Sequence, residues 1–373
     1  MNNNYLELEE LCGIPGISGN EEQVIEYLVN NLKQWTDNIH VDYSGNLTAT
    51  FRGRKNPETD ILIFAHMDEV GMLVRRITED GYVLFERLGG PDEKSFRSHQ
   101  VDITTENGTV IRGLVGTKSH HYTADDEKYT VPGKYDSYID VGASSKQEVL
   151  DMGINIGDSI TYTPNFNRIG KNRVVSKTLD NRACVYCIVR LAEYLSEHQP
   201  DITVHCGFSV QEEFNIRGSL PMVERLQPDM VVSMDCAIGC DTPDLYGRYE
   251  LELGKGPSIC IMNTYGKGPS GGLIPNPKFR KYIQKIAVEN NIPYQKEISA
   301  GCLSDASFVQ MKGTEGTVTA HIGIPLRYAH SPAEVVDLRD IEDAIRLIEV
   351  ISTSPELTSK EKFKLYYNFS KSQ

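Results

Sequence analysis

The sequence predicts a layered α/β domain interrupted by a mostly β insertion, and three observations carry that expectation. Short apolar runs at 61–66 (ILIFAH), 202–210 (ITVHCGFSV), 230–234 (MVVSM) and 317–324 (TVTAHIGI) have the length and continuity of strands buried on both faces, as in a parallel sheet. Helix-period segments lie between or after them, which is the alternation of an α/β layer. Residues 70–170 break the pattern, with turn signals between alternating segments and one clear helix.

Taken in chain order, Ser18-Gly19-Asn20-Glu21 reads as a capping box opening a helix over 18–35, with Val24, Ile25, Leu28 and Leu32 at helical spacing. The strand at 61–66 follows. Within the insertion, Glu79-Asp80-Gly81 marks a turn and Asn107-Gly108 a hairpin. A capping box from Ser145 to Glu148 opens a helix that closes near Gly153. Beyond it, helices are expected at 181–197, about 217–226, 277–290 and 340–353, the last marked by Ile341, Ala344, Ile345, Ile348 and Ile351. Ser331-Pro332-Ala333-Glu334 reads as a further capping box, with proline at the first helical position.

The 373 residues suffice for a conventional core, and 39% apolar with 24% charged residues fits an ordinary globular chain. With 38 Lys and Arg against 52 Asp and Glu the net charge is −14, which repels phosphate backbones and anionic lipid. No nucleic-acid or membrane partner is therefore expected. The amino terminus has no basic stretch followed by an apolar one, and no run of about 18 apolar residues occurs; a cytoplasmic location is expected. The eight cysteines are scattered, most of them inside apolar runs, and read as reduced. Cys184 and Cys187 form a CxxC on an expected helix, without the second pair a zinc knuckle needs.

Chemistry gathers at the ends of the expected strands, where open α/β sheets bind ligands. The first ends in His66 and Asp68, which at i and i+2 point the same way if the chain stays extended, so the carboxylate could orient the imidazole behind a metal. The second runs into Glu212 and Glu213, which reach one site only if the chain turns there. The third ends in Asp235. Asp180 precedes a helix, where a plain N-cap is the alternative, and His330 follows the last strand, where an exposed loop histidine is the alternative. Carboxylates with imidazoles suit zinc, cobalt or manganese, and an Asp shared between two ions about 3.5–4 Å apart would suit a two-metal site. No local motif such as HExxH is present.

These residues stand within PGISGNEE, AHMDEVG, YIDVGASSKQE, KTLDNRA, VQEEFNIRGS, MDCAIGCDTPD and IPLRYAHSPAEVVD. In that order, over nearly the whole chain, the series resembles the cocatalytic two-metal aminopeptidases that assemble into tetrahedral dodecamers, including glutamyl and deblocking aminopeptidases. The resemblance implies a zinc-peptidase-like mixed sheet flanked by helices, formed by 1–68 and 171–373, with a β-rich dimerisation domain inserted at 69–170. It implies two divalent ions per subunit: His66 and Asp235 on one, Glu213 and His330 on the other, Asp180 bridging. Glu212 would be the general base and Asp68 the orienting carboxylate. Peptides would be the substrates and a homo-oligomer the working form. The chain departs from many relatives at Asn215-Ile216, at Cys236-Ala237 and in Gly301-Cys302-Leu303-Ser304-Asp305-Ala306, which bears on side-chain specificity more than on metal. Asp305 itself reads as a helix N-cap, with the substrate's amino group as a weaker alternative.

Rival readings are a related amide hydrolase of the acyl-amino-acid or carboxypeptidase type, and an inactive assembly or binding protein. A glucanase would need a carboxylate pair flanking a sugar and no metal pair. The glycine-rich 266–272 segment lacks the GK[ST] ending of a phosphate loop, and His120-His121 reads as a surface pair.

Overall fold

The computed structural model describes residues 5–265 and 271–365. Of the glycine-rich 266–272 segment, residues 266–270 lie outside them. The molecule is built on a twelve-stranded mixed sheet and a closed six-stranded barrel.

At the centre of the large sheet the strand Asn56–His66 runs parallel to Ile202–Ser209 on one side and Met230–Ile238 on the other, and Met230–Ile238 is parallel to Val318–Arg327. All four expected strands thus lie side by side and end on one edge. Alternation explains why their sequences are apolar throughout. Ile61, Ile63 and Ala65 enter the main core under the long helix Leu179–Glu197, while Leu62 and Phe64 pack on the opposite face with Met222, Val223 and Val309. Each such fully buried aliphatic side chain contributes about 1.5–3 kcal/mol.

Helix Leu338–Ser352 packs beside Leu179–Glu197, and the strand Leu47–Phe51 extends the sheet antiparallel to Ile202–Ser209. At the other side the antiparallel strands Glu334–Asp337, Arg173–Ser176 and Asn167–Ile169 continue it, Ile39–Val41 pairs outside Leu47–Phe51, and Ser258–Thr264 branches from Val318–Arg327 to carry Gly272–Leu273 and Gln295–Ala300.

The barrel consists of Gly71–Ile77, Tyr82–Leu88, Gln100–Thr104, Val110–Val115, Ile139–Asp140 and Ser159–Tyr162. It encloses its own apolar core, including Phe85, Phe96, Val101 and Ile160, separate from the core under the sheet. Both turn signals are used here. The Glu79-Asp80-Gly81 turn joins the first two strands, and Asn107-Gly108 sits in the loop between the third and fourth, with Gly108 at φ 83°. Ser145 accepts from Glu148 N at the start of helix Lys146–Asp151, as its capping box predicts.

Two expected capping boxes are absent. The helix expected over 18–35 spans Glu22–Leu32 without a side-chain cap, because the Ser18 hydroxyl donates to Asp68 and Glu21 accepts from Gly19 N and Gln211 N. Ser331–Glu334 opens a strand, Glu334–Asp337, and the following helix is capped by Asp337. In both places the carboxylates serve the site instead.

Candidate metal centre

His66 is the last residue of the central strand and is buried. Its Nδ1 lies 3.2 Å from the Asp68 carbonyl and 3.4 Å from Asp68 Oδ1, so a proton on that nitrogen is held from behind. Nε2 then faces forward. It faces Asp180 Oδ1 and Asp235 Oδ1, each at 3.4 Å, with Glu212 Oε2 at 3.9 Å. An imidazole nitrogen and carboxylates converging on one point leave a place for a cation.

The second imidazole has the same construction. His330 Nδ1 lies 3.0 Å from the Gly90 carbonyl, while Nε2 stands 3.3 Å from Glu213 Oε1 and 3.8 Å from Asp180 Oδ2. Asp180 therefore turns one oxygen to each histidine. Its Oδ1 is buried and has no hydrogen-bond donor. Ligating atoms of His66, Asp180 and Glu213 all lie within 4.8 Å of one another.

Local backbone explains how the carboxylates arrive. The adjacent Glu212 and Glu213 both reach the site because the chain turns there: Gln211 at φ 57° and Ile216 at φ 59° bracket the single turn Glu212–Asn215. Asp68 fixes that turn, accepting from Glu212 N and Glu213 N at 3.0 Å each and from the Ser18 hydroxyl at 2.6 Å. Asp180 does not cap a helix; it and Asn181 have non-helical backbone angles inside Leu179–Glu197, and the Asp180–Asn181 peptide is cis. Asp235 lies within the strand Met230–Ile238 rather than beyond its end.

Closing the glutamate turn requires Gly218. A Cβ there would stand 1.5 Å from the Val210 carbonyl oxygen. Gly218→Ala is expected to displace Glu212 and Glu213 and to lower any turnover that depends on them at least about tenfold, since small misplacements within a reacting site are costly. Wild-type turnover in that variant would contradict this account of the turn.

Electrostatics describe a cluster short of positive charge. Burial pushes the Glu212, Glu213 and Glu334 carboxyls above their usual range, those of Glu212 and Glu334 far above it. Glu213 draws the His330 imidazole up to about 10. Burial pulls His66 down, but Glu212 and the facing aspartates outweigh it and leave it well above the ordinary value. Divalent cations between imidazoles and carboxylates remove this imbalance. The residues fit such ions.

Glu334 is the residue that sequence reasoning missed. It is buried, accepting from His330 N through Oε1 at 2.7 Å and from Asp180 N through Oε2 at 2.9 Å, so it ties the two segments together. His330 needs that anchor, because its φ of 63° is a left-handed conformation that costs a non-glycine residue about 1–3 kcal/mol. A charged residue opening the buried strand EVVD was the available signal. Asp305 precedes the helix Ala306–Val309 without capping it; its Oδ2 accepts from the Ser209 hydroxyl at 2.8 Å, and burial raises its carboxyl to about 7.

The centre opens into a cavity of about 1150 Å³. Cys236 and Cys302 stand in its wall, their thiols pushed up by burial, which makes them packing groups rather than nucleophiles. Cys184 and Cys187 are buried free thiols on Leu179–Glu197, and His120 and His121 are exposed on the barrel.

The M42 glutamyl aminopeptidase family matches residues 45–347. The lysyl aminopeptidase of Pyrococcus furiosus is 33% identical over 346 residues, 92% of this chain and 95% of that one. An aminopeptidase from the archaeon Desulfurococcus kamchatkensis superposes with a TM-score of 0.89 at 32% identity, covering 97% of this chain and 96% of that one. A Pyrococcus horikoshii TET1 peptidase, which can assemble into a tetrahedron or a large octahedral shell, superposes with a TM-score of 0.83 at 28% identity, covering 94% of this chain and all of that one.

Proposed function

Because the chain belongs to the M42 glutamyl aminopeptidase family and is thereby a metal-dependent aminopeptidase, we propose that this cavity uses two divalent ions per subunit to remove residues from the amino termini of peptides. The observation that carries the reading is Asp180, whose two oxygens face different imidazoles and one of which is buried without a donor.

His66 and Asp235 would hold one ion, Glu213 and His330 the other, and Asp180 both. Bound there, such ions supply Lewis-acid polarisation of the scissile carbonyl and make water acidic enough to react near neutral pH. The chain's residues do the rest. Glu212 takes a proton from the attacking water and returns it to the departing amine. Asp68 holds the His66 ring in one orientation and, through the Glu212 and Glu213 amides, sets where both carboxylates stand. Acidic lining favours a free α-ammonium over a blocked terminus, which would confine cutting to the first residue.

Zinc, cobalt and manganese all suit this donor set, zinc or cobalt best. Homo-oligomerisation is part of the proposal, up to a dodecamer of the tetrahedral kind, with the barrel as the dimerisation unit. A cytoplasmic location is proposed as well; among the described residues no helix is long and apolar enough to cross a membrane.

The test is release of amino acids from matched free and N-acetylated peptides by protein stripped of metal and then reloaded with each ion. Loss on stripping, recovery on reloading, two ions per chain by elemental analysis and no cleavage of acetylated peptides are expected. Cleavage of acetylated peptides would favour the acyl-amino-acid hydrolase. Turnover that survives complete stripping would refute the metal mechanism. Light scattering that shows a monomer would refute the assembly.

A further inference from the structure

Beside the metal cavity lies a second one of about 460 Å³, and the two share Ile238, Gly301 and Cys302 as walls. Its sides are largely apolar, with Cys240, Leu251 and Ile261 among them. Its charged lining divides by depth. Arg248, Glu250 and Lys296 are exposed to water, whereas Glu297 is 4% exposed.

Glu297 sits on the strand Gln295–Ala300, where its Oε1 accepts from the Ser299 hydroxyl and its Oε2 from the Ser258 hydroxyl, both at 2.8 Å. Among the described residues no lysine, arginine or histidine forms an ion pair with it. A carboxylate can accept about four hydrogen bonds, so two serines leave room for a further donor. The sheet itself is cut to seat this group. At Gly323 a Cβ would stand 2.4 Å from Ser258 Oγ and 3.3 Å from Glu297 Oε2. Gly323 pairs with Ser258 on one side and with Asp235 on the other, so the Glu297 carboxylate reaches the strand that adjoins the one bearing Asp235.

We propose that this second cavity receives the side chain of the substrate's first residue and that Glu297 selects a basic one, lysine or arginine. The inference rests on the aminopeptidase reading and specifies its substrate class. A long basic side chain matches the lining in both parts: its methylene stem lies against the apolar walls and its cationic head meets the buried carboxylate. The pairing restores the counter-charge that Glu297 lacks, at a depth where water screens little. An acidic first residue would meet a like charge there and be rejected.

The experiment compares kcat/KM for the p-nitroanilides of lysine, norleucine and glutamate with the metal-loaded wild-type protein. Norleucine keeps the stem of lysine and lacks its amine. Lysine is expected to exceed norleucine by at least about tenfold, and glutamate to be the poorest, as a site built around one polar partner discriminates. In Glu297→Gln the lysine-to-norleucine ratio is expected to fall at least about tenfold. Norleucine equal to or better than lysine in the wild type overturns the inference and leaves the aminopeptidase reading intact. An unchanged ratio in Glu297→Gln also overturns it. No turnover of any of the three with any ion, nor of free peptides, overturns both. The wild-type comparison needs no variant, so the inference is exposed to test even if Glu297→Gln fails to fold.

Discussion

Replacing Glu212 by glutamine is expected to lower kcat by about 10²–10⁴-fold while the protein keeps its bound metal. The substitution preserves shape, and the backbone amide of residue 212 still donates to Asp68, so the turn carrying Glu213 stays in place. What disappears is the proton acceptor. Glu212 is buried beside His66 and among other carboxylates, and without ions burial holds its carboxyl far above the usual range. Steady-state kinetics with elemental analysis of the same preparation checks the result. Activity within about threefold of wild type would show that another group moves the proton. Loss of metal along with activity would place Glu212 among the ligands instead.

The largest expected loss of stability comes from Lys177→Met. Lys177 Nζ donates to both oxygens of Glu69 at 2.8 Å, and both side chains are buried. Removing the ammonium leaves a buried carboxylate with the Gly16 amide as its donor and Arg182 Nη2 4.0 Å away, on a guanidinium whose Nε and Nη1 are held by the carbonyls of Met67 and Leu11. Breaking a buried pair in this way costs about 3–5 kcal/mol. The urea midpoint of metal-free protein should fall accordingly, and the double variant Lys177→Met, Glu69→Gln should recover part of the loss, since no charge is then stranded. An unaltered midpoint in the single variant would mean that Glu69 finds a proton or a partner at little cost.

The central sheet was legible because its strands are buried on both faces, and runs such as ILIFAH need no register information to be recognised. The convergence of His66, Glu212, Glu213 and Asp235 was legible for a related reason: each stands where an apolar strand runs out, on one edge of the expected sheet. His66, Asp180, Glu212, Glu213, Asp235 and His330 do converge on one cavity. Local rules failed where a side chain serves a distant partner. Ser18, Glu21 and Glu334 all have the spacing of helix caps, and all hydrogen-bond across the fold to segments of the metal centre instead. Lys177, Glu69 and Arg182 gave no signal, because a buried ion cluster assembled from segments more than 100 residues apart has no periodicity. Glu297 was hidden for the same reason, its distant partner Ser258 being legible only once the strands are paired.

The barrel does more than stand beside the site. The loop that leaves its second strand supplies the Gly90 carbonyl that orients His330, and Asp92 N in turn donates to the His330 carbonyl at 3.0 Å. An imidazole proposed to bind metal on one part of the molecule thus takes its orientation from the other. Any force that shifts the barrel relative to the sheet is transmitted to an ion's coordination geometry, and by thermodynamic linkage ion binding pulls equally on the barrel. If subunits meet through the barrel, association and metal affinity become two readings of one free energy. Dilution would then weaken the hold on metal, and chelation would loosen the assembly, with the same coupling constant in both directions.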